Sequence, residues 1–262
     1  YNAAFGRSAL SSNTTTDENT AFGAFALFAN TAAQNVGVGG SALYSNTTGT
    51  QNTAVGFRAL MTSTTSVRHT AVGYNALRRT TTGNDNTAIG YGALEDNTTG
   101  QNNTAVGSEA LFNNTTGNQC TALGVEALEE NTTGAGNIAV GYQALRANTT
   151  ATRNHAFGYA ALRANTTASD NTALGYFALA ANTTGEKNVA IGAQALDSNT
   201  TADNNTAVGH NALNANTTGA ENTAVGRLAL TTNTTGSFSV AVGYQALTAS
   251  CLLYTSPSPR DS

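Results

Sequence analysis

The chain has 262 residues, only 10% of them charged, a formal net charge of −4, no Trp and one lysine, Lys187. Without a basic stripe to track phosphates it is not expected to bind nucleic acid, and no apolar run approaches the ~20 residues a membrane helix needs. Two cysteines, Cys120 and Cys251, make neither a disulfide framework nor a metal motif, and the 40% hydrophobic content argues against disorder.

The chain repeats itself from end to end. A Gly that follows a small and then a large apolar residue marks each unit, from Gly6 and Gly23 through Gly39 and Gly56 to Gly243. Successive marks lie 17 residues apart, except for one interval of 16 between Gly23 and Gly39. The unit reads N-T-A-V-G-Y-x-A-L-x-x-N-T-T-G-x-x, and fifteen copies fill residues 2–250. Such a period identifies a solenoid, in which no single unit can bury enough apolar surface to fold alone.

Within a unit the elements come in a fixed order. First is T-A-V at positions two to four, where β-branched residues favour a strand. Gly at position five turns the chain, and A-L at positions eight and nine forms a second short strand. The N-T-T-G loop closes the coil; Gly and N-T-T-G leave too little room for a useful helix. Position four is always large and apolar and position nine is Leu in all fifteen copies. Both are assigned to the core: Val55 and Leu60, Val72 and Leu77, Ile89 and Leu94, Val106 and Leu111, Val140 and Leu145. Neighbours in a strand face opposite sides, so the Ala at positions three and eight is expected on the other face. Position eight is Ala without exception, as at Ala93, Ala110, Ala127 and Ala144. An unvarying small residue calls for a second backbone packed against it, either a neighbouring chain or the opposite wall of a thin roll. The expected fold is thus all-β, a parallel β-solenoid of about fifteen 17-residue coils.

The strings N-T-A-V-G-Y-x-A-L and N-V-A-I-G-A-Q-A-L (188–196) resemble the head repeats of trimeric autotransporter adhesins, built from S-x-A-x-G and A-x-A-x-G units. Similar arrays occur in phage tail-fibre-like proteins. The resemblance implies a left-handed parallel β-roll, three chains to a bundle, displayed outside a cell or on a virion. The present repeat is longer than those heads by an added N-T-T-G loop.

Asn-Thr-Thr recurs in the closing loop, for example at Asn97, Asn114, Asn131 and Asn148. Each is a formal N-glycosylation acceptor; the competing reading is a plain turn, since Asn tolerates left-handed geometry. The position-one Asn residues, such as Asn86, Asn103 and Asn137, are expected to stack as an amide ladder, a column that tolerates exceptions such as His69 and Cys120. Tyr74 and Tyr91, and Tyr142, Tyr159 and Tyr176, share position six and are expected to stack between coils. His69, His155 and His210 occupy three different positions, and no nucleophile–base set recurs. No catalytic residue, cofactor or metal is therefore expected, and the chain is read as a non-enzyme.

These features suggest a rod-like surface module, a homotrimer attaching to a host surface, matrix or glycan. A phage tail-fibre shaft is the nearest alternative; an ice-binding solenoid using Thr98 and Thr99 over Thr115 and Thr116 is a further one. The chain opens on Tyr1 with no signal peptide, so a longer native protein is expected. Residues 251–262, which hold both prolines, resemble a translated sequencing adapter and are set apart from the array.

Overall fold

The computed structural model describes residues 1–248; the expected adapter-like tail at 251–262 lies outside them. Fifteen strands of three residues each, from β1 (Ala3–Phe5) to β15 (Val240–Val242), form one parallel sheet in strict chain order. Each position pairs with its own copy one coil on, as Thr104↔Thr121, Ala105↔Ala122 and Val106↔Leu123. The chain is an all-β parallel solenoid.

Only one strand forms per coil, not two. The A-L segment runs as successive turns, with positive φ at position seven (Glu109, 58°) and at position nine (Leu111, 53°). All fifteen position-nine leucines take this conformation, which costs an L-residue roughly 1–2 kcal/mol. Two features offset that cost. Alternating backbone curvature sends hydrogen bonds to both neighbouring coils: Glu109 N donates to Tyr91 O at 2.8 Å and Leu111 N to Ala127 O at 3.0 Å. The same curvature lets adjacent positions eight and nine both turn inward, and Ala110 and Leu111 are each fully buried. A flat strand would have put one of them in water.

The position-five glycines make the corner between the sheet and this wall. Gly124 sits at φ 142°, and a Cβ on it would lie 2.5 Å from the Gly141 carbonyl oxygen. Conformation and the next coil's backbone both exclude a side chain here.

The core differs from the sequence expectation in phase. Leu60, Leu77, Leu94, Leu111 and Leu145 are fully buried, as expected. Position four is not in the core: Val55, Val72, Val106 and Val140 are half-exposed, and Ile89 is exposed. It is Ala at position three that points inward, with Ala54, Ala71, Ala88, Ala105 and Ala139 all inaccessible. The roll is thin enough for the Leu to reach the sheet. At Gly37, the one position-three glycine, an added Cβ would stand 3.1 Å from Leu27 Cγ. Leu fills the gap and leaves space only for methyl groups. Ala93, Ala110, Ala127 and Ala144 are likewise sealed inside their own chain. The second backbone they imply is the opposite wall of the same coil, so they offer no surface to a neighbour.

Candidate functional surface

Two asparagines brace most coils, and both act on one carbonyl. In the coil that begins at Asn86, Asn86 Nδ2 donates to Gly100 O at 2.8 Å and Asn97 Nδ2 to the same oxygen at 3.0 Å. Their oxygens face the next coil: Asn86 Oδ1 accepts the Asn103 backbone N–H at 3.0 Å, and Asn97 Oδ1 accepts Asn114 Nδ2 at 2.8 Å. The position-twelve ladder then runs unbroken from Asn97 to Asn233. A primary amide suits this task because it donates and accepts at once. Asn97, Asn114, Asn131 and Asn148 are fully buried. They are therefore closed as glycan acceptors, because the nitrogen that would carry the sugar is hydrogen-bonded inside the coil.

Cys120 stands in the position-one ladder with a poorer group. Its sulfur donates to Gly134 O at 3.3 Å and faces the Asn137 backbone N–H, while burial pushes its thiol pKa up. Cys120→Asn should restore both amide contacts and stabilise the array by about 1 kcal/mol, read as a higher denaturant midpoint. A lowered midpoint would mean that the sulfur packs better than an amide at this site.

The outer face of the sheet carries positions two and four, and position six continues it past the corner. Positions two and four hold no charged Lys, Arg, Asp or Glu in any coil, His155 being the one titratable group. Exposed apolar side chains run its length, among them Phe22, Ile89, Leu123, Leu174 and Val225. Thr53, Thr70, Thr87, Thr104 and Thr121 line five consecutive rungs, half-buried. Among the described residues their hydroxyls have no protein partner, so they point to solvent. The loop hydroxyls differ: Thr98 Oγ1 donates to Thr115 O and Thr115 Oγ1 to Thr132 O, each at 3.0 Å.

The aromatic residues stack as expected. Tyr74 and Tyr91 lie 5.5 Å apart at 7°, and Tyr142, Tyr159 and Tyr176 follow at 5.1 and 5.4 Å. The stacked rings remain exposed at the surface. Glu109 and Glu126 fall in register, and Glu126 is relieved by Gln143 at 2.7 Å and Arg146 at 3.2 Å. His69 is buried, whereas His155 and His210 are exposed; the structure does not bring the three together. Among the described residues no group of three or more His, Cys, Asp or Glu could hold a metal ion, and no helix is long and apolar enough to cross a membrane.

The outer face was the feature missed in the sequence, although a signal existed. Position four ranges from Val to Phe while position nine never varies, and a close-packed interior does not absorb such volume changes. Fold and surface together define a class, a single-sheet parallel β-solenoid with an uncharged outer face. No family model, curated protein or solved structure matches the chain.

Proposed function

We propose that the chain is a rod segment of a fibre displayed outside a cell or on a virion, serving attachment to cells, matrix or glycans rather than catalysis. The observation that carries this reading is the single sheet running through all fifteen coils in register. At ~4.8 Å per layer it gives a stiff rod of roughly 70 Å. Copies associate as a parallel homotrimer, and the uncharged Thr/Val face is the surface suited to that contact. Adhesin head and tail-fibre shaft use such a rod alike. Sedimentation combined with small-angle scattering tests the assembly: the expected result is an elongated trimer, and a compact particle or stable monomer would rule it out. Binding to cells, matrix proteins and a glycan panel tests attachment, and its complete absence would leave only a spacer role.

A second reading, ice binding, is favoured by one observation. The free hydroxyls of Thr53 to Thr121 form a regular row beside Val55, Val72, Ile89, Val106 and Leu123. This is a different face from the Thr-Thr loops, whose position-thirteen hydroxyls are spent on the backbone. Thermal hysteresis that disappears in Thr87→Tyr would support it, and none in the parent protein would remove it.

A further inference from the structure

Departures from the repeat at buried positions are few, yet four of them fall between residues 63 and 80. Ser63 and Thr80 replace the position-twelve Asn, Ser66 replaces the loop Gly, and His69 replaces the position-one Asn. The consequences fall on three successive contacts, from the coil that holds Leu43 to the one that holds Leu94. The Asn46 carbonyl oxygen, which would accept the next amide of the ladder, is buried without a partner, because Ser63 bonds to Ser66 instead. The loop ladder also skips a rung. The position-thirteen backbone N–H reaches the next coil at Thr47→Thr64 (2.9 Å), Thr81→Thr98 (2.9 Å) and Thr98→Thr115 (3.0 Å). Among the described residues Thr64 N makes no such bond to Thr81, and its hydroxyl makes none either. The sheet and the Leu wall still join the coils of Leu60 and Leu77, through Thr53 N to His69 O at 2.8 Å and Leu60 N to Ala76 O at 2.9 Å, and past the loop Val67 N donates to Asn84 Oδ1 at 2.9 Å and Arg68 pairs with Asp85.

His69 opens the coil that holds Leu77 and takes over both tasks of an Asn, the second of them toward the coil that holds Leu94. Nε2–H donates to Gly83 O at 2.8 Å, and Nδ1 accepts the Asn86 backbone N–H at 3.1 Å. With Thr80 in place of Asn, this imidazole is the only side chain bracing Gly83 O among the described residues, where most coils use two amides. The arrangement admits one state, neutral with the proton on Nε2. A second proton on Nδ1 would face the Asn86 N–H and remove its acceptor. The nearby charges are Arg68 and Asp85, which bond to each other at 2.7 Å and largely cancel at His69. The preceding coil presents Asn52 and the following one Asn86, and neither titrates.

We infer that residues 63–86 form an acid-labile joint, where the rod opens or bends first when the medium turns acidic. Burial pushes the His69 pKa below the ordinary histidine value, in keeping with the geometry. Because the folded-state pKa is depressed, stability at the joint is complete above the unfolded value of about 6.5. It falls as pH drops below that value, and goes on falling until the folded-state pKa is passed.

The test is hydrogen exchange on the intact chain at pH 7.5 and 4.5, corrected for intrinsic rates, comparing residues 63–86 with 131–216. The expected result is a selective loss of protection at the joint of about tenfold or more at acid pH, abolished in His69→Asn. That variant installs the residue the ladder uses elsewhere, so it folds. His155→Asn, on the outer face, should leave the loss intact. Ser63→Asn should raise protection at the joint at both pH values by closing the ladder. A uniform change along the rod, or a loss that persists in His69→Asn, would overturn the inference.

Discussion

Leu111→Asp unfolds the middle of the array, whereas Val106→Asp leaves the rod folded. Leu111 is fully buried between coils that repeat the same side chain above and below. The substitution removes a core Leu and leaves a carboxylate with no cation in reach. Together these cost roughly 3–5 kcal/mol. Each coil supports its neighbours, so the loss spreads along the rod. Val106 belongs to the same coil and is just as apolar, but its side chain stands on the outer face. Within the single chain a charge there stays hydrated, and the expected loss of coil stability is about 1 kcal/mol of strand preference and cross-strand contact. Denaturant midpoints measured side by side decide the matter: equal or reversed values would mean that the core does not lie where the buried Ala and Leu place it.

Passage of this chain through an N-glycosylating secretory route abolishes folding. Eleven Asn-Thr-Thr triplets offer themselves while the chain is still unfolded. In the folded protein all of them except Asn13 are buried. Asn114 Nδ2 alone holds Asn97 Oδ1 at 2.8 Å and Gly117 O at 3.0 Å. A glycan on that nitrogen removes one of its two N–H donors and places a bulky polar group where the coil must close. The expected product is a heavily glycosylated chain without β signal in circular dichroism, beside a folded rod from a host lacking the modification. Blocking glycan transfer in the secretory host should restore the β signal. A rod folded with sugars on the ladder asparagines would show that the loops can open to admit them.

Much of this architecture is legible in the repeat. The period, the Leu core and the Gly corner each follow from a residue that the packing does not exchange, and the position-one amide ladder from one that it seldom does. Three features are not legible, for physical reasons. Apolar Val and Ile at position four look like core because hydrophobicity does not distinguish a buried wall from an uncharged outer face. The turns at A-L are hidden because Leu rarely adopts positive φ, and only the bonds to both neighbouring coils sustain it. The N-T-T triplets read as surface loops because the backbone does turn there, yet the amides of their Asn residues swing inward to brace the turn. At the outer face, the sequence shows the residues but not the free hydroxyls at position two, since hydroxyls at positions two and thirteen look alike until their partners are known.

Register between coils also has a genetic meaning. Because most rungs present the same contacts above and below, adding or losing a whole unit by recombination between such rungs creates no new junction. The rod can lengthen or shorten in steps of ~4.8 Å while each remaining coil keeps its neighbours. Reach can therefore evolve by copy number alone, without selection having to solve the folding problem again.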